Sequence, residues 1–313
     1  MLFRSDYGPP GLPNAAVNLG AKVSFYYVGI LNSGVGSTLS IGELTSTDTT
    51  AKLLGGPTSG RVLTYRIGGR GTDFTFAGSI AEQSGASLTT NIVKTGAGVW
   101  TLSGPLTTNG STTVEAGTLR LTGTLTQPAG NPLEIKDGAA LDLAGGTVNT
   151  AVHIADGGTL SGHGTLAGSL INDGTLTADG VGTLTVTGSV TNNGTATFTR
   201  AAALAVTGTF TNNGVLDLLT GAQALPANFV NNGIVIDSSS LRMTSVVKAG
   251  ASVTLTAQTY AGHTYQLQRA TALTPPGWAD LAGQSFPGDG TPHAFTDPAA
   301  TGTARFYRLT VTP

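Results

Sequence analysis

The feature that most constrains this chain is an internal repeat. Thr185-Val-Thr-Gly-Ser-Val-Thr-Asn-Asn-Gly194 returns one period later as Ala205-Val-Thr-Gly-Thr-Phe-Thr-Asn-Asn-Gly214. Leu166-Ala-Gly-Ser-Leu-Ile-Asn-Asp-Gly174 keeps the frame upstream, and Phe229-Val-Asn-Asn-Gly233 keeps it downstream. A turn Gly followed within three residues by an apolar position recurs at Gly98, Gly117, Gly138, Gly157, Gly174, Gly194, Gly214 and Gly233. The spacings are 19, 21, 19, 17, 20, 20 and 19, one period of about 20.

Each turn Gly opens a stretch of alternating apolar and small polar residues, as in Ala140-Leu-Asp-Leu143, Leu184-Thr-Val-Thr-Gly188 and Val215-Leu-Asp-Leu218, which is strand patterning. Asn-Gly and Asp-Gly permit the positive φ of a tight turn. The fixed Leu and Asn spacing of a leucine-rich repeat is missing, and a propeller blade needs about twice the length. The architecture left is a parallel β-helix. One coil cannot bury its apolar face alone, but stacking puts Val190 over Leu170 and Phe210 over Val190. Asn192, Asn212 and Asn231 then fall at one corner, where stacked amides can bond as a ladder. The same residues also tolerate left-handed turn geometry, and the two roles are compatible.

Composition agrees. Gly and Thr supply 46 and 51 of 313 residues, and charged residues only 10%. Both are poor helix formers, whereas Thr and Val suit a pleated surface. No Cys is present, so neither disulfides nor thiolate chemistry is available. Residues 1–97 carry 7 basic and 5 acidic groups, 98–240 carry 3 and 9, and 241–313 carry 5 and 3. The acidic middle lacks the basic footprint that nucleic acid requires. No apolar run reaches the ~18 residues of a membrane span, and Met1 to Gly11 has no signal-peptide core. Leu2-Phe3-Arg4-Ser5 matches the translated end of a sequencing adapter, so the frame is expected to be truncated, part of a longer secreted protein.

At Ile92-Val-Lys-Thr-Gly-Ala-Gly-Val-Trp-Thr-Leu-Ser-Gly104, followed by Ser111-Thr-Thr-Val-Glu-Ala-Gly-Thr-Leu-Arg-Leu121, the chain resembles the autotransporter-associated β-strand repeat. The loop Pro105 to Gly110 lacks that family's usual Asn-Thr-Tyr, and the residues after the motif are not expected to form a membrane β-barrel. The resemblance implies a right-handed β-helical passenger segment on a secreted or cell-surface bacterial protein. The tail resembles a small C-terminal β-sandwich of secreted Verrucomicrobia-type proteins, through Tyr265-Gln-Leu-Gln-Arg269, Trp278, Phe295-Thr-Asp-Pro298 and Arg305-Phe-Tyr-Arg-Leu309.

Candidate chemistry is sparse. Gly68-Gly-Arg-Gly-Thr-Asp73 begins like a calcium-binding nonapeptide but occurs once, with Thr75 where a large apolar residue belongs. Asp137, Asp156 and Asp173 each precede a turn Gly, as turn preference alone would place them, with a diffuse calcium site as the alternative. A glycosidase needs two carboxylates across a groove. Asp142, Asp217 and Asp237 are the candidates, and the middle segment's bases are only Arg120, Lys136 and Arg200. His153, His163, His263 and His293 have no metal-ligand pairing; His153 reads as an outward strand position. Trp100 reads as core. Trp278 with Tyr260, Tyr265 and Tyr307 reads as core packing or as a sugar-stacking face.

The expected fold is therefore all-β: a right-handed parallel β-helix with a period of about 20, then a small antiparallel β-sandwich. Residues 1–19 are expected to be an irregular or truncated segment, 20–91 to form irregular coils, 92–241 to form regular repeats and 246–313 the sandwich. The expected role is a non-catalytic extracellular or cell-surface rod with structural or adhesive work. Its partners would be surface glycans or proteins, with no cofactor, metal or nucleic acid. The alternative is a polysaccharide-binding or polysaccharide-degrading module.

Overall fold

The computed structural model describes residues 2–3, 12–27, 36–56, 60–84, 89–178, 182–198, 203–219, 224–274, 277–302 and 304–312. Their regular structure is strand throughout, and no helix is long and apolar enough to cross a membrane. Arg200 lies outside the described residues. The chain divides into two compact units, Met1–Ile234 and Val235–Pro313.

The first unit is a parallel β-solenoid. A coil such as the one opening at Thr89–Lys94 continues through Val99–Leu102 and Leu106–Thr107 before Thr112–Val114 opens the next. Each of these three strand positions stacks on its counterpart, giving three parallel ladders. The first ladder is an 11-stranded sheet, from Leu12–Asn18 to Phe229–Asn231. The other two share a 17-stranded sheet, because a strand such as Ala139–Asn149 runs through the corner between them with a register shift between Ala144 and Thr147.

From Ile92 onward successive coils keep the period of the repeat, as the pairs Ile92↔Thr112, Thr113↔Glu134, Leu133↔Val152, Val152↔Leu170, Leu170↔Val190, Val190↔Phe210 and Phe210↔Phe229 show. The stacks of Val190 on Leu170 and of Phe210 on Val190 are among them. Earlier coils are longer, as the wider pairs Leu12↔Ile41, Ser37↔Leu63 and Val62↔Thr89 show. Leu12–Asn18, expected to be irregular, is a strand of the same ladder. Its coil length hides it from a search at the shorter period.

Inward residues align into columns that run along the axis. One column is Phe74, Trp100, Leu119, Leu141, Leu160, Leu176, Ala196 and Leu216. None of these is more than 7% exposed. Burying each large side chain is worth roughly 1.5–3 kcal/mol, so the column rather than any single coil supplies the stability. Trp100 stacks on Phe74 with ring centroids 5.9 Å apart. In the neighbouring column Gly162 and Ala178 are followed by Phe198, a large ring after two small positions.

The second unit holds two three-stranded antiparallel sheets. Met243–Ala249, Ser252–Gln258 and Pro292–Asp297 make one; Ala279–Pro287, Thr264–Ala270 and Phe306–Thr312 make the other. Val253, Leu255, Tyr265, Leu267, Leu281 and Phe295, contributed by both, form one buried cluster. Ser252–Gln258 alternates strictly between buried and half-buried residues, as expected for a sheet with one face on a core.

Candidate functional site: the turn column and its outer row

The polar chemistry of the solenoid concentrates where each first-ladder strand ends and the chain turns. One register position of those strands forms a column: Ile41, Ile67, Lys94, Val114, Ile135, Ile154, Asn172, Asn192, Asn212 and Asn231. Backbone carbonyls of the turns face this column, and unpartnered buried carbonyls are costly.

Four Asn residues answer this at one end. Asn172 Nδ2 donates to Asn192 Oδ1 at 2.6 Å, Asn192 Nδ2 to Asn212 Oδ1 at 2.7 Å, and Asn212 Nδ2 to Asn231 Oδ1 at 2.8 Å. The second amide hydrogen goes to a carbonyl of the next turn: Thr195 O, Val215 O and Ile234 O, at 3.0, 2.9 and 3.1 Å. Asn172, Asn192 and Asn212 are fully buried.

Lys94 does the equivalent work in the same column. Its side chain is fully buried. Nζ donates to Thr95 O, Gly96 O and Ala116 O at 2.9, 2.8 and 2.9 Å, so it joins the turns of two coils. Burial pushes the Lys94 ammonium down to about 8, and the charge of Asp73 opposes that fall. Nothing in the repeat pattern singles out Lys94. The signal that could have found it is positional, because Lys94 lies in register with Val114 and hence with the Asn residues.

Column identity also sorts the turn glycines. After the apolar residues Val114, Ile135 and Ile154, the turn takes three steps to Gly117, Gly138 and Gly157, whose φ values are 64°, 69° and 74°. After Asn the turn takes two steps to Gly174, Gly194, Gly214 and Gly233, none of which has positive φ. Glycine is required at these four for a different reason. A Cβ at Gly194, Gly214 or Gly233 would collide with the carbonyl oxygen of the turn Gly one coil below, and one at Gly174 with Gly158 O. The same oxygens accept the next coil's amides, as in Thr195 N to Gly174 O at 2.9 Å. Positive φ therefore explains only part of the Gly register, and close stacking of coils explains the rest; Gly98 belongs with the second group, against Thr72 O. The short step at 174 marks the switch between the two turn types.

Outside this column runs a second polar row. Asn193 Nδ2 donates to Asp173 Oδ1 at 2.7 Å, Asn213 Nδ2 to Asn193 Oδ1 at 2.8 Å, and Asn232 Nδ2 to Asn213 Oδ1 at 3.0 Å. Asp173 Oδ2 lies 2.8 Å from His153 Nε2, and His153 Nδ1 lies 3.1 Å from Glu134 Oε2. Lys136 Nζ is 3.2 Å from the same oxygen. The bond to Asp173, with help from Glu134, raises the His153 imidazole despite partial burial. Asn193 and His153 together hold the Asp173 carboxyl below its ordinary value. The outward position expected for His153 is thus a bridging one between two carboxylates.

The remaining candidates are dispersed. Asp142 pairs with Arg120 at 3.5 Å. Asp217 accepts the Leu219 N–H at 3.0 Å. Asp237 is engaged by the side chain of Ser239, whose hydroxyl with the Ser239 and Ser240 amides holds it below the usual carboxylate range. A general acid needs the opposite shift. Asp73 accepts the Val99 N–H at 2.7 Å. Asp137 and Asp156 are exposed, and among the described residues no group of three His, Asp or Glu could hold a metal. The two carboxylates beside His153 sit on opposite ring nitrogens, which is incompatible with one coordination sphere.

His163 is half-buried and His263 buried, while His293 packs on Phe286 with centroids 4.2 Å apart. Of the four aromatics read as core packing or as a sugar-stacking face, Tyr265 is buried and its hydroxyl accepts the Tyr260 N–H, Tyr307 donates to Asp297, and Trp278 lies under Arg308.

No curated protein matches the chain. Residues 92–121 match the family model of the passenger-associated-transport-repeat. They include Lys94 and its Thr95 and Gly96 acceptors, buried Trp100 and the Gly117 turn, all of which serve the stacking of coils. The solenoid accordingly carries a repeat of the autotransporter-passenger type.

Proposed function

We propose that this chain is a non-catalytic extracellular or cell-surface rod that presents or spaces, with adhesion to surface glycans or proteins as its direct work. What supports the reading is that the polar side chains of the solenoid interior are occupied in holding coils together: Lys94 and the Asn column satisfy turn carbonyls rather than facing a cleft. The passenger-type repeat at 92–121 favours an exported location. Asp142, Asp217 and Asp237, from which hydrolysis would have to be built, each have a local partner. The test is incubation of the purified chain with a polysaccharide panel and assay of reducing ends, beside binding to whole bacterial or host cells. Cell binding without sugar release is the expected result. Release of reducing ends would sink the structural reading in favour of a polysaccharide-degrading module.

A further inference from the structure

The chain contains four Asn-Gly pairs, Asn109-Gly110, Asn193-Gly194, Asn213-Gly214 and Asn232-Gly233. Asn followed by Gly is the arrangement in which the next backbone nitrogen can reach the side-chain amide carbon, because Gly has no Cβ to obstruct the approach. The fold treats the four differently. Gly194 N–H donates to Asn172 O and Gly214 N–H to Asn192 O, both at 2.9 Å. Asn232 N–H still donates to Asn212 O at 2.7 Å, but among the described residues Gly233 N–H has no such bond to the coil below. The side chains differ in the same sense. Asn193 Oδ1 accepts from Asn213 and Asn213 Oδ1 accepts from Asn232, whereas Asn232 Oδ1, at the end of the row, accepts from no following coil among the described residues. Asn232 is exposed. Asn109 is pinned otherwise: its N–H donates to Glu82 Oε1 at 2.9 Å, and Gly110 is buried against the Thr90 carbonyl and the Asn91 side chain.

We propose that Asn232 is a site of spontaneous deamidation, and that the solenoid holds Asn193, Asn213 and Asn109 intact. Gly233 N loses its proton and attacks Asn232 Cγ; the Cγ–Nδ2 bond breaks and ammonia leaves with that proton, closing a succinimide. Water then adds to one ring carbonyl. Opening at Cγ–N gives aspartate, and opening at the backbone carbonyl gives isoaspartate, with the main chain rerouted through Cβ and Cγ. Either product removes the Nδ2 donor to Asn213 Oδ1 and adds a negative charge at the end of the outer row.

The test is ageing of the full chain in mildly alkaline buffer, folded and in concentrated urea, followed by proteolysis and mass spectrometry with isoaspartate-sensitive fragmentation. In the folded chain Asn232 is expected to convert about tenfold faster than Asn193 or Asn213, the factor that one hydrogen bond on the Gly amide sets. In urea the four sites are expected to converge. Conversion of Asn193, Asn213 or Asn109 as fast as Asn232 in the folded chain would overturn the proposal. So would the same ranking in urea, since local sequence rather than the ladder would then govern it.

Discussion

His153 shows how one side chain acquires its chemistry from two coils at once. With Asp173 on Nε2 and Glu134 on Nδ1, the imidazolium is favoured over the neutral ring, so its folded pKa stands above the ordinary 6.5. The stability this contributes is fully present below 6.5 and is lost as pH rises through the raised folded value. Asp173 works at the other edge, contributing above the ordinary carboxylate value and losing that contribution as pH falls through its depressed one. The row is therefore tightest between those limits. An NMR titration of the His153 ring should give a midpoint above 6.5, and Asp173→Asn should bring it down; a midpoint at or below 6.5 in the unaltered chain would refute the bridging geometry. The alternation in Val152-His153-Ile154 was enough to assign His153 outward. Its partner was not legible, because Asp173 lies in the turn beyond Ile171, diagonal to His153 rather than in its column.

For the turn as an element, two opposing effects meet at Lys94, and their magnitudes decide the outcome. Holding the ammonium buried, with its pKa lowered from 10.5 to about 8, costs about 3 kcal/mol at neutral pH. Removing it orphans three turn carbonyls, at about 2 kcal/mol each. The carbonyls win, so Lys94→Met should destabilise the solenoid by about 3 kcal/mol in urea unfolding. An unchanged or increased midpoint would mean that the turn relaxes and finds other donors. The Gly-rich motif around Lys94 could be read as a turn from the sequence. That Lys94 points inward could not, since a lysine in a strand next to a turn is solvated by default. Only the register with Val114 and Asn172 reveals the shared task.

At the scale of the whole molecule, the two units rest on different physics. The solenoid is held by columns whose neighbours lie one coil apart in the sequence, and the second unit by one closed core with a polar centre at Asp297. Burial pushes Asp297 up, but the Ala299 amide, Arg269 and Tyr307 outweigh it and keep the carboxyl below its ordinary value. Its contribution is present above that ordinary value and disappears as pH falls through the depressed one. Asp297→Asn should cost the second unit about 2 kcal/mol, allowing for the partly exposed Arg269. By hydrogen exchange, segments within 252–312 should lose protection while those within 92–231 keep theirs; simultaneous loss in both would show that the units unfold as one.

What the sequence determined by itself was the period, and with it the parallel stacking. A short repeat with Gly at each turn and alternation between turns leaves one economical way to bury its apolar positions, and Val190 over Leu170 follows from the offset alone. The early coils within 20–91 were legible only as irregular ones because their period is longer, and Leu12–Asn18, which obeys the same ladder, escaped. The tertiary structure alone decided which polar groups meet: Lys94 on three carbonyls, His153 between two carboxylates, and Gly174, Gly194, Gly214 and Gly233 under close stacking rather than positive φ. The reason is that period specifies which residues are one coil apart along the axis. The lateral offset of a turn, and the direction in which a buried side chain leaves its strand, depend on backbone geometry that the period does not encode.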